Sequence, residues 1–518
     1  MIEIKIVENL NQGFSWENDS DCYVCGYAYV NDCYLEGKEL LQYFRDQKGE
    51  KDFIKKVQKL NGLFAVIIVD SDYVMAAVDR YGVFKLFYHQ NGNKFIIGNK
   101  AGDIVNATGQ KSINTNAEKD WLYAGFAGKN ETLFNDVFSL NASKTLFFNS
   151  ANSKLRVENY HEFLLRPSNK SYSDLLEQFG EIFEKASKRF ISSLNGKKVL
   201  IPLSGGVDSR LGALMLYNGG YENVLCFTYG NKNSIEGQIA YKTAKAYGFE
   251  HIFIPYKVRE WSRLFKDKKN MDYINFASQF KAVPHFSDLF AAEYISKNFD
   301  NDECIIVPGH IGSIAEGMLD SGKVFTKESL VSLIIKKYFY FYGEKCKPIT
   351  GYLKARLSNY FENKVPVDSE KAHDLFDSAA YDTYRSNHLF MALKPYEFYG
   401  FQWRLPLMDS GIVEFFEEVP LDYKKKNKIL LSEFVALACK NDPGYFIEPR
   451  TFLGKVNRNL HDKRYCCINP FDVFKLRKKE YDLPGIHRVL YRYYRNYLSY
   501  VSAKTLRYIL SEKIYEKN

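Results

Sequence analysis

Apolar and polar residues change places in short bursts over the first 165 positions. Cys22–Val30 (CYVCGYAYV), Leu63–Val69 (LFAVIIV), Val74–Val78 and Lys94–Ile97 each have the length and content of a strand. Turn residues part them at Asp70-Ser71-Asp72, Arg80-Tyr81-Gly82 and Asn91-Gly92-Asn93. One stretch, Gly37–Phe44, has helical spacing. Together these predict a mostly antiparallel sheet with one or two covering helices.

The period lengthens after Pro167-Ser168-Asn169. Leu175–Asn195 carries apolar residues at helical spacing, then Val199–Leu203 reads as a buried strand. A Gly-rich turn leads to a helix over Ser209–Tyr217, a strand at Val224–Tyr229, a helix at Ile235–Tyr247 and a strand at His251–Ile254. That βαβαβ order is how a parallel, doubly wound sheet is built. Helical periodicity dominates from Ser278 onward. The expected class is therefore α/β, divided at 1–165, 170–460 and 461–518.

Composition adds limits rather than identity. The 518 residues are 46% hydrophobic and 26% charged, a globular balance that excludes collagen and low-complexity chains. A net charge of +9 is mild for this surface and predicts no nucleic-acid partner. The excess sits at the end: His461–Asn518 holds 13 Lys/Arg against 6 Asp/Glu, with nine interleaved tyrosines. Leu490, Tyr494, Leu498 and Val501 form a stripe there. Such a stripe either docks on the chain's own core, the preferred reading, or makes a peripheral contact with an anionic membrane. Nine cysteines are too few and too irregular for a disulfide scaffold. Cys22-x-x-Cys25 with Cys33 suggests a metal site, but no second CxxC or paired His completes one. No apolar run is long enough to span a bilayer and the start lacks a signal-peptide pattern, so the expected location is cytoplasmic.

The segment richest in chemistry is Val199–Ser209 (VLIPLSGGVDS). A strand runs into Leu203-Ser204-Gly205-Gly206 and a helix starts just beyond. Two glycines let backbone N–H groups approach an anion, and the helix start adds a favourable dipole. Ser204 and Ser209 can add hydroxyl donors, and Asp208 makes sense as the carboxylate that holds a Mg²⁺ bridging to phosphate. The lysine of a Walker loop is missing. The loop instead looks like the pyrophosphate-binding loop of N-type ATP pyrophosphatases, which release AMP and pyrophosphate. The plainer reading is a Gly-Gly turn with an Asp cap.

With this loop in hand, the chain resembles the asparagine synthetase family along most of its length. The resemblance implies that Phe227-Thr228-Tyr229-Gly230 contacts adenine, with Thr228 and Tyr229 at the nucleotide, and that Glu236 is the acidic residue of the next helix. It also implies that Gly309 lies at the nucleotide, while Arg404-Leu405-Pro406-Leu407-Met408-Asp409 resembles the RxPFLD stretch and nominates Arg404 as catalytic. Lys428 takes the place of a lysine that neutralises charge as pyrophosphate leaves; a solvated cation in a Lys-rich turn is the alternative. In the first domain, Leu60–Ala65 and Asp79–Tyr88 resemble L[ND]GMFAF and RDxxGIxPLYY of the family's glutaminase domain, an Ntn-type sandwich.

Two departures change the expectation. The family's glutaminase uses an N-terminal cysteine, and here position 2 is Ile2, which has no nucleophilic atom. A degenerate domain without glutamine hydrolysis follows. The second is at Gly309-His310-Ile311-Gly312-Ser313, where Ser313 falls at the expected second Mg²⁺ carboxylate. Water, Glu316 or Asp320 could complete the shell, or the metal site is damaged. His310 is a candidate anion ligand or proton acceptor, and His285 a candidate for the acceptor pocket at the start of a helix.

The resulting expectation is an ATP- and Mg²⁺-dependent amide-forming ligase. It would adenylate a small-molecule, sugar or peptide carboxylate and pass it to ammonia or an amine, as in β-lactam synthetases, lasso-peptide cyclases and surface-polysaccharide relatives. A homodimer is one assembly the resemblance allows. The competing expectation is a non-catalytic pseudo-synthetase that binds nucleotide or a partner, for which Ser313 is the best support.

Overall fold

A computed structural model describes residues 2–6, 13–45, 47, 49–109, 112–230, 234–257, 260–261, 264–309, 319, 322–339, 347–358, 361, 366–424, 429–438 and 501–511. The fold is α/β. The front of the chain builds two sheets. The smaller runs β1 (Ile2–Lys5), β8 (Lys94–Gly98), β7 (Leu86–Asn91), β9 (Phe138–Leu140), with β1 parallel to β8. The larger runs β11 (Lys154–Asn159), β10 (Lys144–Asn149), β6 (Tyr73–Val78), β5 (Asn61–Asp70), β3 (Cys22–Val30), β2 (Glu17–Asn18). A short β4 (Cys33–Glu36) folds back on β3.

The sheets stack because their central strands bury both faces. Tyr27, Ala65, Ile67, Ala76 and Val78 of the larger sheet share one core with Leu86, Tyr88, Phe95 and Ile97 of the smaller. Phe95 and Phe148 stack across it at 4.4 Å. The outer face of the larger sheet, with Val24, Val66 and Phe147, is covered by helices Lys38–Arg45 and Glu50–Lys59. The outer face of the smaller, with Phe87 and Ile96, is covered by helices Ala101–Thr108 and Thr115–Ala124. Four helices therefore cover two sheets, where one sheet with one or two helices was expected. Doubly apolar strands leave two outer faces to bury, and each needs its own cover.

Behind this four-layer unit lies a parallel sheet in the order β14 (Glu250–Pro255), β13 (Val224–Gly230), β12 (Lys198–Pro202), β15 (Cys304–Ile306), β16 (Gln402–Trp403). Central β12 is fully buried at Val199, Leu200 and Ile201. Helix Tyr172–Ser192 opens this half on a capping box, in which Ser171 and Asp174 satisfy each other's backbone. Helix Val207–Asn218 links β12 to β13, and helix Ile235–Ala246 links β13 to β14. Of the basic terminal stretch, the structure describes 501–511, a helix that buries Val501, Leu506 and Ile509 with Trp121. Ser502 donates from its hydroxyl to the Trp121 carbonyl at 2.8 Å. Leu490, Tyr494 and Leu498 of the stripe lie outside the described residues. Among the described residues, no helix is long and apolar enough to cross a membrane.

The two halves meet through buried charge. Arg189 donates from Nε and Nη2 to both carboxylate oxygens of Asp409, at 2.8 and 2.9 Å. Asn61 of β5 donates to Asp409 Oδ2 at 2.8 Å and accepts from the Ser410 N–H, so the front sheet grips the same carboxylate. The Leu405 N–H donates to the Tyr27 hydroxyl at 3.0 Å.

Candidate functional site

The loop after β12 is pinned before it turns. The Leu203 N–H donates to the Phe227 carbonyl at 2.8 Å, and Thr228 Oγ1 donates back to the Leu203 carbonyl at 2.7 Å. Beyond that point two serines close the loop. Their hydroxyls lie 2.9 Å apart, the Ser204 N–H donates to Ser209 Oγ at 3.1 Å, and the Gly206 N–H donates to Ser204 Oγ at 3.2 Å. Gly206 caps helix Val207–Asn218 without any side-chain acceptor, and it is exposed. The first turn of this helix carries Asp208. A rigid, open helix start beside one carboxylate suits a phosphate chain and a hard cation that keeps most of its water.

The glycines answer to neighbours. A Cβ on Gly205 would meet Glu236 Cα at 3.3 Å, so the loop lies against the helix that carries that acid. On Gly309, which follows β15, a Cβ would overlap the Ser209 N at 2.4 Å and its Cα at 2.5 Å. The structure thus brings Leu203, Ser204, Gly205, Gly206, Asp208, Ser209, Thr228 and Gly309 to the carboxyl edge of adjacent parallel strands, where ligands of such sheets sit. His310, Ser313, Glu316, Asp320 and Lys428 lie outside the described residues.

Two nominated residues are placed otherwise. Arg404 is 1% exposed and faces the front unit: Nη2 donates to the Tyr34 hydroxyl at 2.5 Å and to Glu36 at 3.3 Å. Its guanidinium lies over Tyr27 and Tyr34, 4.5 and 5.5 Å from the ring centres. A cation so buried must be paired, and Tyr34, Glu36 and the two rings supply that pairing. Tyr229 follows Thr228 on β13, and other elements engage its side chain. Its hydroxyl donates to Asp288 Oδ1 at 2.8 Å, and its ring stacks on Tyr256 at 5.1 Å.

That neighbourhood holds a clamp that sequence reasoning missed. His285 precedes helix Leu289–Asn298 on a connecting segment, not inside a helix start as expected. Four tyrosines from separate elements hold the segment. Tyr273 donates to the His285 carbonyl and Tyr256 to the Ser287 carbonyl, each at 2.5 Å, while Tyr229 and Tyr396 both donate to Asp288 Oδ1 at 2.8 Å. Asp288 Oδ2 faces His285 Nε2 at 3.0 Å. Burial alone would raise this carboxyl, but the hydrogen bonds from His285, Tyr396 and Tyr229 and the His285 charge carry it below the usual carboxylate range. The only sequence signal was the His-x-x-Asp spacing.

Cys22 and Cys25 are an odd number of residues apart, so they enter different cores on opposite faces of β3 and cannot share an ion. Burial pushes the Cys22 thiol up to about 12 and the Cys25 thiol higher still, which keeps both protonated and unreactive. Ile2 is a strand residue in register with Phe95. Among the described residues, no group of three or more His, Cys, Asp or Glu is arranged to hold a metal.

Residues 39–161 match the family model described as a glutamine amidotransferase domain. The front unit is similar to glutamine amidotransferase domains. That likeness is to nitrogen-transfer enzymes, and it begins well after position 2, so it concerns the sheets rather than a nucleophile. No curated protein matches the chain. Among solved structures, a glutamine phosphoribosylpyrophosphate amidotransferase from B. subtilis, complexed with ADP and GMP, is 11% identical, with 48% of each chain covered and a TM-score of 0.19. The second is described as the allosteric regulatory enzyme of purine biosynthesis; it is 12% identical over 64% of this chain and 61% of that one, also at 0.19. The chain spans about half to three fifths of the length of these two. Superpositions that weak carry nothing across.

Proposed function

We propose that the chain is an ATP-dependent amide-forming ligase of the asparagine synthetase-like kind, with a front unit that does not hydrolyse glutamine. One observation carries the reading: an open, uncapped helix start whose loop is locked by Ser204, Ser209 and the close approach of Gly309. Loop amides and hydroxyls would hold the phosphates, and Asp208 would hold Mg²⁺, which when bound screens the phosphate charge. A substrate carboxylate oxygen attacks the α-phosphorus, the α–β anhydride bond breaks and pyrophosphate leaves. A nitrogen nucleophile then bonds the acyl carbon, the carbon–oxygen bond to AMP breaks, and a proton leaves the nitrogen. Preorganised donors aimed at the departing charge are the protein's main contribution. Free ammonia, another subunit or an amine on the substrate supplies the nitrogen.

The deciding assay is pyrophosphate–ATP exchange across amino acids, uronic acids and peptides. Exchange with one member, lost in Asp208→Asn, is the expected result. A second reading, a non-catalytic nucleotide- or partner-binding protein, draws on Ser313 in place of a carboxylate. Mg·ATP would then raise the melting temperature without turnover, and Asp208→Asn would leave the biological role intact.

A further inference from the structure

The tyrosine-held segment has a cost that core packing does not explain. Asp288 stands at the N-cap of helix Leu289–Asn298, yet its side chain makes no cap hydrogen bond. A capping aspartate is worth about 1 kcal/mol. Here the carboxylate turns instead to two tyrosine hydroxyls on one oxygen and His285 on the other. A buried acid that needed only satisfaction could have used the helix amides within its reach. Facing Nε2 with an ionised carboxylate keeps the proton on that nitrogen and leaves Nδ1 as the basic atom.

The rest of the arrangement fixes that nitrogen in space. Tyr273 and Tyr256 hold the backbone on either side, and the imidazole keeps about a fifth of its surface open. No described residue bonds Nδ1. His388, the neighbouring ring, is pushed down to about 4 by desolvation and by the His285 charge, so it stays neutral and does not compete. The position is tied to the loop through β13: Thr228 bonds the Leu203 carbonyl, and the next residue, Tyr229, bonds Asp288. A base oriented by a third group is the arrangement that proton abstraction requires.

Building on the ligase reading above, we propose that His285 is the general base of the second half-reaction and Asp288 its positioning residue. His285 Nδ1 takes one proton from the ammonium group, which frees the lone pair that bonds the acyl carbon; AMP departs with the electron pair of the broken carbon–oxygen bond, and the second proton leaves the new amide nitrogen to water. The substrate class so defined is an ammonium or alkylammonium group, which is protonated at neutral pH and must shed a proton to react.

The test compares two nitrogen donors in the full chain, with Mg·ATP and, in turn, aspartate, glutamate, glucuronate and galacturonate. Ammonium chloride needs a base, whereas hydroxylamine is already neutral and traps an activated acyl group unaided. In His285→Asn, amide formation from ammonia is expected to fall about 100-fold or more while hydroxamate formation stays within a few-fold of the parent. Asp288→Asn should give the same split with a smaller loss. Equal loss of both products in His285→Asn would overturn the proposal in favour of a structural histidine, as would retention of both. AMP formed from no acid by the parent chain would instead overturn the ligase reading, and His285's role with it.

Discussion

The front and back units are built to similar quality and differ in what their strand ends offer. In the front unit the cysteines are sunk in two cores and Ile2 is paired along a strand. In the back unit, β12 ends in an exposed glycine at a helix start that no side chain caps. Residues 39–161, in the front unit, match a glutamine amidotransferase domain model, and what that unit presents is packing residues, whereas the back unit presents donors at its loop. A scaffold can outlive its chemistry because packing and reactivity are set by different residues.

Several variants would break or sharpen that contrast. The largest effect belongs to Gly309→Val. Its Cβ would overlap the Ser209 backbone, so the rise in melting temperature given by Mg·ATP should vanish while circular dichroism stays native. A shift equal to that of the parent would detach Gly309 from the loop. Asp409→Ala comes next, because it leaves Arg189 buried without its bidentate partner and strips the cap from helix Ser410–Glu418. A loss of about 3–5 kcal/mol is expected in urea unfolding.

Acid reaches both units through histidines, half-buried His161 and buried His373. His161 and His373 are held down to about 4, chiefly by burial. The unfolded chain binds these protons at about 6.5, so stability is full above that pH and falls as the pH drops toward 4. For His373, 3% exposed, the loss approaches about 3 kcal/mol. The gap between unfolding midpoints at pH 7 and pH 5 should narrow in His373→Gln, leaving the share of His161, and an unchanged gap would refute the assignment. The smallest effect is expected for Cys25→Ala: about 1 kcal/mol of stability and no change in AMP formation. A drop in AMP formation would return chemistry to the front unit.

The back sheet was legible because each strand is one apolar run closed by a turn. Observed limits differ from the expected ones by no more than one residue at β12, β13 and β14. Helix Glu50–Lys59 escaped notice because EKDFIKKVQK buries only Phe53 and Val57 among charges. The surroundings of Arg404 were hidden because its partners, Tyr34 and Glu36, lie some 370 positions earlier and no local pattern encodes that pairing. The clamp on His285 was equally hidden. Its hydroxyls come from Tyr229, Tyr256, Tyr273 and Tyr396, which share no spacing.

The grip on Asp409 reaches beyond strength. Arg189, Asn61 and the Gly411 amide converge on it from three stretches of chain, while the Arg166 and Ser168 amides of the connecting segment merely lean on the carbonyls of Glu417 and Glu418. Continuity of the polypeptide at that crossing is therefore dispensable: a protease nick there would yield two fragments that travel as one particle and come apart only in denaturant.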